Sequence, residues 1–349
     1  MIALTLADYE RLARDRLDGP VWDFCAGGAG EERTLAANTA AFDRMRLHPT
    51  VLRGVVEPDV TTKIFGERWA APVAIAPMAF HTLAHPDGEV ATAAAAAMAG
   101  VPFVVSTMAA RTFAEIAAVA DAPLWLQVYC FRDRSRTRRL IERAEDAGLS
   151  ALVLTVDTPR LGRRLRDVRN DFRLPPGTVP VNLDGDGFAS PSAHAQAELD
   201  PALDWSVVGW LRSISSLPVL VKGVLTAADA ARAVAAGVHG IVVSNHGGRQ
   251  LDGVPATFDV LPEIVAAVAG GCPVLVDGGI RRGRDVLACL AAGADAVLVG
   301  RPILHGLAVN GAAGAAHVLD ILVQELTDAM ILTGTPSLAE IDRDLVRPH

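Results

Sequence analysis

The sequence predicts a (β/α)8 barrel, and three observations carry that prediction. Short apolar or β-branched runs recur eight times in one continuous series. Helix-like stretches rich in Ala, Glu, Arg and Leu separate most of them. Seven of the eight runs end on a hydrogen-bonding or charged group, and a barrel gathers all such ends on one face. A doubly wound open sheet is the alternative. It is disfavoured because no GxGxxG turn follows the first run.

In chain order the strands are PVAIAP (72–77), PFVVS (102–106), PLWLQV (123–128), ALVLTV (151–156), PVLVK (218–222), GIVVS (240–244), PVLVD (273–277) and DAVLVG (295–300). Most are apolar on both faces, as parallel strands covered by helices must be. The intervening segments GEVATAAAAAMAG, SRTRRLIERAEDAG, AADAARAVAAG and RDVLACLAAG each close on a Gly, a common helix stop. Residues 1–70 form an N-terminal extension of helices and a short cap over the barrel's bottom or side. Residues 71–310 form the barrel core and 311–349 the C-terminal helices, all within one domain spanning 1–349. The rhythm breaks once, between strands 4 and 5, where residues 158–217 are far too long for an ordinary connection. Much of that insertion is rich in Gly, Pro, Ser and Asp, so a mobile active-site lid is expected there.

Bulk composition narrows the class. Half of the 349 residues are apolar and the net charge is −8, which suits a soluble globular protein and not a broad nucleic-acid surface. Cys25, Cys130, Cys272 and Cys289 lack zinc-ligand or redox-pair spacing, so free thiols in a reducing cytoplasm are expected. The N-terminus mixes acids and bases among its apolar residues, unlike a signal peptide. The most membrane-like stretch, 90–105, is split by Gly100 and Pro102, and no membrane span is expected. No His/Asp/Glu cluster suggests a metal, and no Ser or Cys sits in a nucleophile elbow.

The strand ends then carry the chemistry. They offer Ala79, Ser106, Gln127 with Tyr129, Thr155 with Asp157, Lys222, Ser244 with His246 and Arg249, Asp277 with Gly279, and Gly300 with Arg301. In SNHGGRQLDG (244–253), glycines permit a tight turn, His246 can hold a proton near neutral pH, and Arg249 can grip an anion with two prongs. DGGIRRG (277–283) places two glycines before a helix start with Arg281 and Arg282 alongside, and GRP (300–302) repeats the idea. Helix starts favour phosphate, and barrels often bind it after strands 7 and 8. A lysine at mid-barrel would stabilise negative charge on a reduced ring. Together these groups suit flavin mononucleotide (FMN) better than a nicotinamide.

LTVDTPRLGRR, LVKGV, SNHGGRQLDG, LVDGGIRRG and VGRP, in that order, resemble the FMN-dependent 2-hydroxy-acid oxidases and dehydrogenases, a family of glycolate-, lactate- and mandelate-oxidising enzymes. The likeness runs from VWDFCAGGAGEERTL to the last strand. It implies that His246 is the catalytic base, supported by Asp157. It implies that Arg164 and Arg249 bind the substrate carboxylate and that Tyr129 touches the substrate. Lys222 would face flavin N1 and O2. Ala79, Ser106, Gln127, Thr155 and Ser244 would contact the flavin or its ribityl chain. Asp277, Gly279, Arg281, Gly300 and Arg301 would hold that chain and the phosphate. The resemblance further implies an (S)-acid substrate and a homotetramer or octamer.

Two positions depart from the family pattern. Phe24 stands where small-acid oxidases carry a Tyr that reaches the carboxylate, and Met108 stands where an aromatic often lines the pocket. Phe80 and His81 are expected near the flavin face. Losing a hydrogen bond to a carboxylate costs about 1.5–3 kcal/mol. A bulky apolar substrate tail would offset that, so an aromatic acid such as mandelate or 4-hydroxymandelate is expected, with glycolate or lactate as the alternative. The absence of a haem domain and of an apolar segment in the long loop favours O2 as electron acceptor, giving H2O2. A dehydrogenase serving a quinone or carrier protein, or a relative that adds oxygen and releases CO2, stays open. So do a flavin isomerase and a sugar-phosphate barrel without flavin, although the Arg164 and Arg249 pair argues against both.

Overall fold

The structure, a computed structural model, describes residues 3–184 and 190–348. The chain opens with α1 (Leu6–Arg16), α2 (Gly19–Ala26) and α3 (Arg33–Asp43), then β1 (Met45–Leu47) and a hairpin of β2 (Thr62–Ile64) and β3 (Glu67–Trp69). The barrel follows: β4 (Val73–Ile75), α4 (Gly88–Ala99), β5 (Phe103–Val105), α5 (Phe113–Ala117), β6 (Leu124–Val128), α6 (Arg134–Asp146) and β7 (Ala151–Thr155). An insertion carries α7 (Leu165–Arg169) and α8 (Pro191–Glu198) before α9 (Ser206–Ile214). The barrel resumes with β8 (Val219–Val224), α10 (Ala227–Ala235), β9 (Gly240–Val243), α11 (Thr257–Val268), β10 (Val274–Asp277), α12 (Gly283–Ala291), β11 (Ala296–Val299) and α13 (Arg301–Thr333), and β12 (Val346–Pro348) ends the chain.

Strands β4 to β11 close in parallel, with β11 pairing back to β4. Each falls on an expected apolar run, because a strand buried on both faces has few alternatives to that composition. Their inward side chains fill the lumen with Val104, Trp125, Val153, Leu220, Val242 and Leu275 among others. The β2–β3 hairpin stoppers the bottom: Ile64 and Trp69 join the lumen cluster, and Trp125 donates its indole N–H to Glu67 at 3.1 Å. The outward side chains pack under the helices as the larger core. This leaves the top face, at the strand C-termini, as the place where side chains are free for chemistry.

The termini and the insertion refine the expected layout. The extension divides, with the hairpin at the bottom and α3 packed against the His246–Gly248 turn at the top. The 158–217 insertion contains the ordinary barrel helix α9, and its described parts are tied down. Arg134 pairs with Asp200 at 2.7 Å, Arg139 with Asp184 at 2.7 Å, and Leu199 bridges Phe131. Residues 185–189 of that expected lid lie outside the described residues. Helix α13 is broken at Asn310–Gly311, where barrel gives way to tail, and the tail ends in a strand paired with β1 instead of in helices alone. The 90–105 stretch is helix then strand, as expected. Helix α13 is the one long and apolar enough to cross a membrane among the described residues. It packs here against α1, α4 and α12.

Candidate active site

A cavity of about 1320 Å³, its open mouth included, sits in the top face. The ends of seven strands reach it, through Ala79, Ser106, Gln127, Thr155, Lys222, Asp277 and Gly300. Tyr129, Arg164, His246, Arg249, Gly279, Arg281 and Arg301 complete the expected set, with Phe24 and Met108 on the apolar side. Asp157 and Ser244 stand behind the wall, each bonded to a residue that lines it.

The polar side is built by bonds between strand ends. Ser106 Oγ donates to Gln127 Oε1 at 3.4 Å, and Gln127 Nε2 donates to Thr155 Oγ1 at 2.9 Å. Lys222 Nζ donates to Ser244 Oγ at 3.0 Å and pairs with Asp277 Oδ2 at 3.3 Å, both partners buried. Burial opposes the Lys222 charge, but Asp277 and Asp157 outweigh it and raise its pKa, so it is an ammonium at any working pH.

His246 sits just past β9 with φ +59°, a conformation costly for a non-glycine residue. Its Nδ1 lies 2.9 Å from Asp157 Oδ1. A carboxylate can only accept, so Nδ1 carries the proton and Nε2 keeps its lone pair. Burial lowers the His246 pKa, Asp157 opposes this, and Lys222 and Arg164 lower it further. The imidazole is therefore neutral at pH 7. Burial raises the Asp157 pKa, but His246 and Lys222 outweigh it, and the carboxylate stays ionised. The glycine of LVKGV makes room for this pair: a Cβ on Gly223 would lie 2.7 Å from that of Asp157, and the register of β8 shifts there. Gln250 fixes the other side, donating to the Asp157 carbonyl at 2.7 Å and accepting from Gly162 N at 2.9 Å.

Opposite stand two guanidinium groups. Arg164 Cζ lies 5.7 Å and Arg249 Cζ 5.4 Å from the Phe24 ring centroid, and Phe172 stacks on that ring at 4.6 Å. Burial, then Arg164 and Arg301, push the Arg249 pKa well down. Burial also lowers the pKa of Arg164, whose Nε has no partner among the described residues. Crowded, desolvated cations of this kind favour a bound anion.

Two expectations are corrected. The start of α12 is not an open anion cradle, because Arg281 and Arg282 N–H both donate to Asp285 and Gly283 N–H donates to Glu325. Arg282 turns outward to Asp43. The groups at this end that face the cavity are Arg281, Arg301 and the turn around Gly300. Arg301 spends three of its five N–H groups on the carbonyls of Cys25, Gly247 and Gly27. His81 is not at the cavity face. It is buried and bonded to Thr92 at 2.8 Å, while its neighbour Phe80 lines the wall.

The sequence reading missed Cys25, Leu161, Pro191, Ala195, Leu199 and Leu304, all of which line the cavity. Their apolar character carries no local mark of a site. For the four on the insertion, its length was the available signal.

The donors present fit FMN. A row of neutral hydrogen-bonding groups faces a lysine, the buried Asp277 Oδ1 has no partner among the described residues, and two arginines lie at the far end.

Comparison with known proteins agrees. The family profile described as FMN-dependent dehydrogenase matches residues 13–348. An L-lactate oxidase of Nostoc sp. is 49% identical over 97% of this chain and 96% of its own. A 4-hydroxymandelate oxidase of Amycolatopsis orientalis is 48% identical over 98% of each chain. The crystal structure of mandelate oxidase with (S)-4-hydroxymandelic acid superposes with a TM-score of 0.95, at 47% identity over 99% of both chains.

Proposed function

We propose, from the premise that this chain belongs to the FMN-dependent dehydrogenase family and oxidises 2-hydroxy acids with FMN, that its substrate is a bulky or aromatic (S)-2-hydroxy acid, made into the 2-oxo acid while O2 becomes H2O2. The observation that carries the substrate choice is the apolar wall. Phe24, Phe80, Met108 and Leu304 form one buried cluster with Phe172 and Leu174 packed into it. A phenyl ring against such a wall gains about 1.5–3 kcal/mol over an exposed one.

Arg164 and Arg249 anchor the carboxylate, and Tyr129 donates to the substrate from the end of β6. His246 Nε2 takes the hydroxyl proton. Asp157 keeps the ring oriented and stabilises the imidazolium that results. The chemistry that FMN would supply when bound is acceptance of the α-hydrogen together with its two electrons, which O2 would then take up with two protons to give H2O2. Ala79, Ser106, Gln127 and Thr155 would hold the ring edge and Lys222 its anionic side, with Ser244 orienting Lys222. Asp277 would hold the ribityl chain, and Gly279, Arg281, Gly300 and Arg301 the phosphate. We take the enzyme to be a cytoplasmic homo-oligomer, a tetramer or octamer.

Turnover of (S)-mandelate with one H2O2 formed per O2 consumed is the expected result. Turnover that needs a quinone or dye and leaves O2 untouched would instead assign a dehydrogenase, and CO2 release would assign an oxygenating enzyme.

A further inference from the structure

Helix α3 belongs to the N-terminal extension, yet it is the back wall of two active-site loops. A Cβ on Gly248, two residues past His246, would lie 2.6 Å from Leu35 N and 2.8 Å from Leu35 Cα. A Cβ on Gly279 would lie 2.1 Å from the Asn38 carbonyl oxygen. Both glycines are thus required by the close approach of this helix, whatever ligand lies on their other side.

Between these contacts, the side chains of Asn38 and Asn245 form a reciprocal amide pair. Asn38 Nδ2 donates to Asn245 Oδ1 at 2.9 Å, and Asn245 Nδ2 donates to Asn38 Oδ1 at 2.7 Å. Both residues are buried. Asn245 Oδ1 also accepts from Gly248 N at 3.1 Å, and its second N–H donates to the Pro255 carbonyl at 3.1 Å. The full hydrogen-bonding capacity of that amide is used. His246, the next residue, has a positive φ, a strained conformation that persists where its surroundings over-determine it.

We propose that Asn38 is a positioning residue for His246: acting through Asn245, it holds the strained turn that aims the imidazole, and its helix ties that turn to the Gly278–Gly279 loop at the phosphate end of the FMN site. This rests on the reading of His246 as the base. Asn38 does not line the cavity, so its action is indirect.

The test compares Asn38→Leu, Asn38→Asp, His246→Gln and, as a control, Phe42→Leu. Phe42 lies in the same helix and packs on Phe258 at 5.0 Å. The readouts are kcat and KM at saturating FMN, the pH profile of kcat, and the FMN Kd from fluorescence quenching on titrating apoprotein. Asn38→Leu is expected to lower kcat about 10- to 100-fold with little change in KM, and to weaken FMN binding about 5-fold or more. Asn38→Asp keeps shape and acceptor. Its carboxyl can donate to Asn245 only when protonated, so its kcat should fall as pH rises, a limb the native enzyme lacks. Phe42→Leu should lower the melting temperature while kcat stays within about two-fold. If Asn38→Leu does not fold, the pH profile of Asn38→Asp decides alone. Native-like kcat at every pH in Asn38→Asp, with His246→Gln inactive, overturns the positioning role but leaves the base in place. An active His246→Gln overturns both.

Discussion

The two sides of the cavity are made differently. The polar side comes from strand ends: Ser106, Gln127 and Thr155 are bonded in a row across the adjacent ends of β5, β6 and β7, and Lys222 on β8 reaches past β9 to Asp277 on β10. The apolar side adds segments from outside the barrel repeat, Phe24 on α2 and Leu161, Ala195 and Leu199 on the insertion, to Phe80, Met108 and Leu304, which follow β4, β5 and β11. A closed barrel fixes its own rim tightly, whereas attached segments can vary without disturbing it. The lesson is a division of labour. On the proposed function, the rim would supply the base and the flavin contacts, and the attached segments would help to choose the acid.

That division can be broken in order of expected effect. His246→Gln should lower kcat by about 10²–10⁴-fold while the bound-flavin spectrum is unchanged; loss of flavin instead would show that the turn serves binding and not chemistry. Asp157→Asn should cost less, about 10²-fold, and should also move the acid limb of kcat/KM. The base must be neutral, so activity falls as pH drops through the His246 pKa, which burial holds below the ordinary imidazole range. Asp157 holds that pKa up against burial and Lys222, so its removal should shift the limb to lower pH while the plateau drops. A limb that moves upward would contradict the pairing. Arg164→Lys keeps a charge but loses the planar fork, and KM should rise about 10-fold with a smaller change in kcat. Phe24→Tyr is the mildest change. It should improve glycolate relative to mandelate by about 0.5–1.5 kcal/mol, roughly 2- to 10-fold, and leave the acid limb where it was.

The two sides also differ in how far the sequence reveals them. The rim was legible because a parallel strand buried on both faces has a near-unique composition, and the residue that ends it is forced to the top face. His246, Asp157, Lys222 and Gln127 follow from that rule alone. The α12 start was misread because the carboxylates that occupy its N–H groups arrive from inside the helix and from distant Glu325. Glu325 has no sequence mark linking it to residue 283. The partnership of Asn38 with Asn245 spans 207 positions and is equally invisible. Arg164 and Arg249 were found through a motif, but their shared seat on the Phe24 ring needed the fold. Helix α9 was absorbed into the long insertion because Gly- and Pro-rich sequence precedes it without a break.

The most direct test of the division is the anaerobic reduction of bound FMN, followed by its visible absorbance, with (S)-mandelate and glycolate added separately to native enzyme and to Phe24→Tyr. The account predicts that the native enzyme is bleached by (S)-mandelate at about 10-fold lower concentration or less, with the gap narrowing in the variant. Bleaching by glycolate at equal or lower concentration than mandelate would contradict it and make the apolar side mere packing.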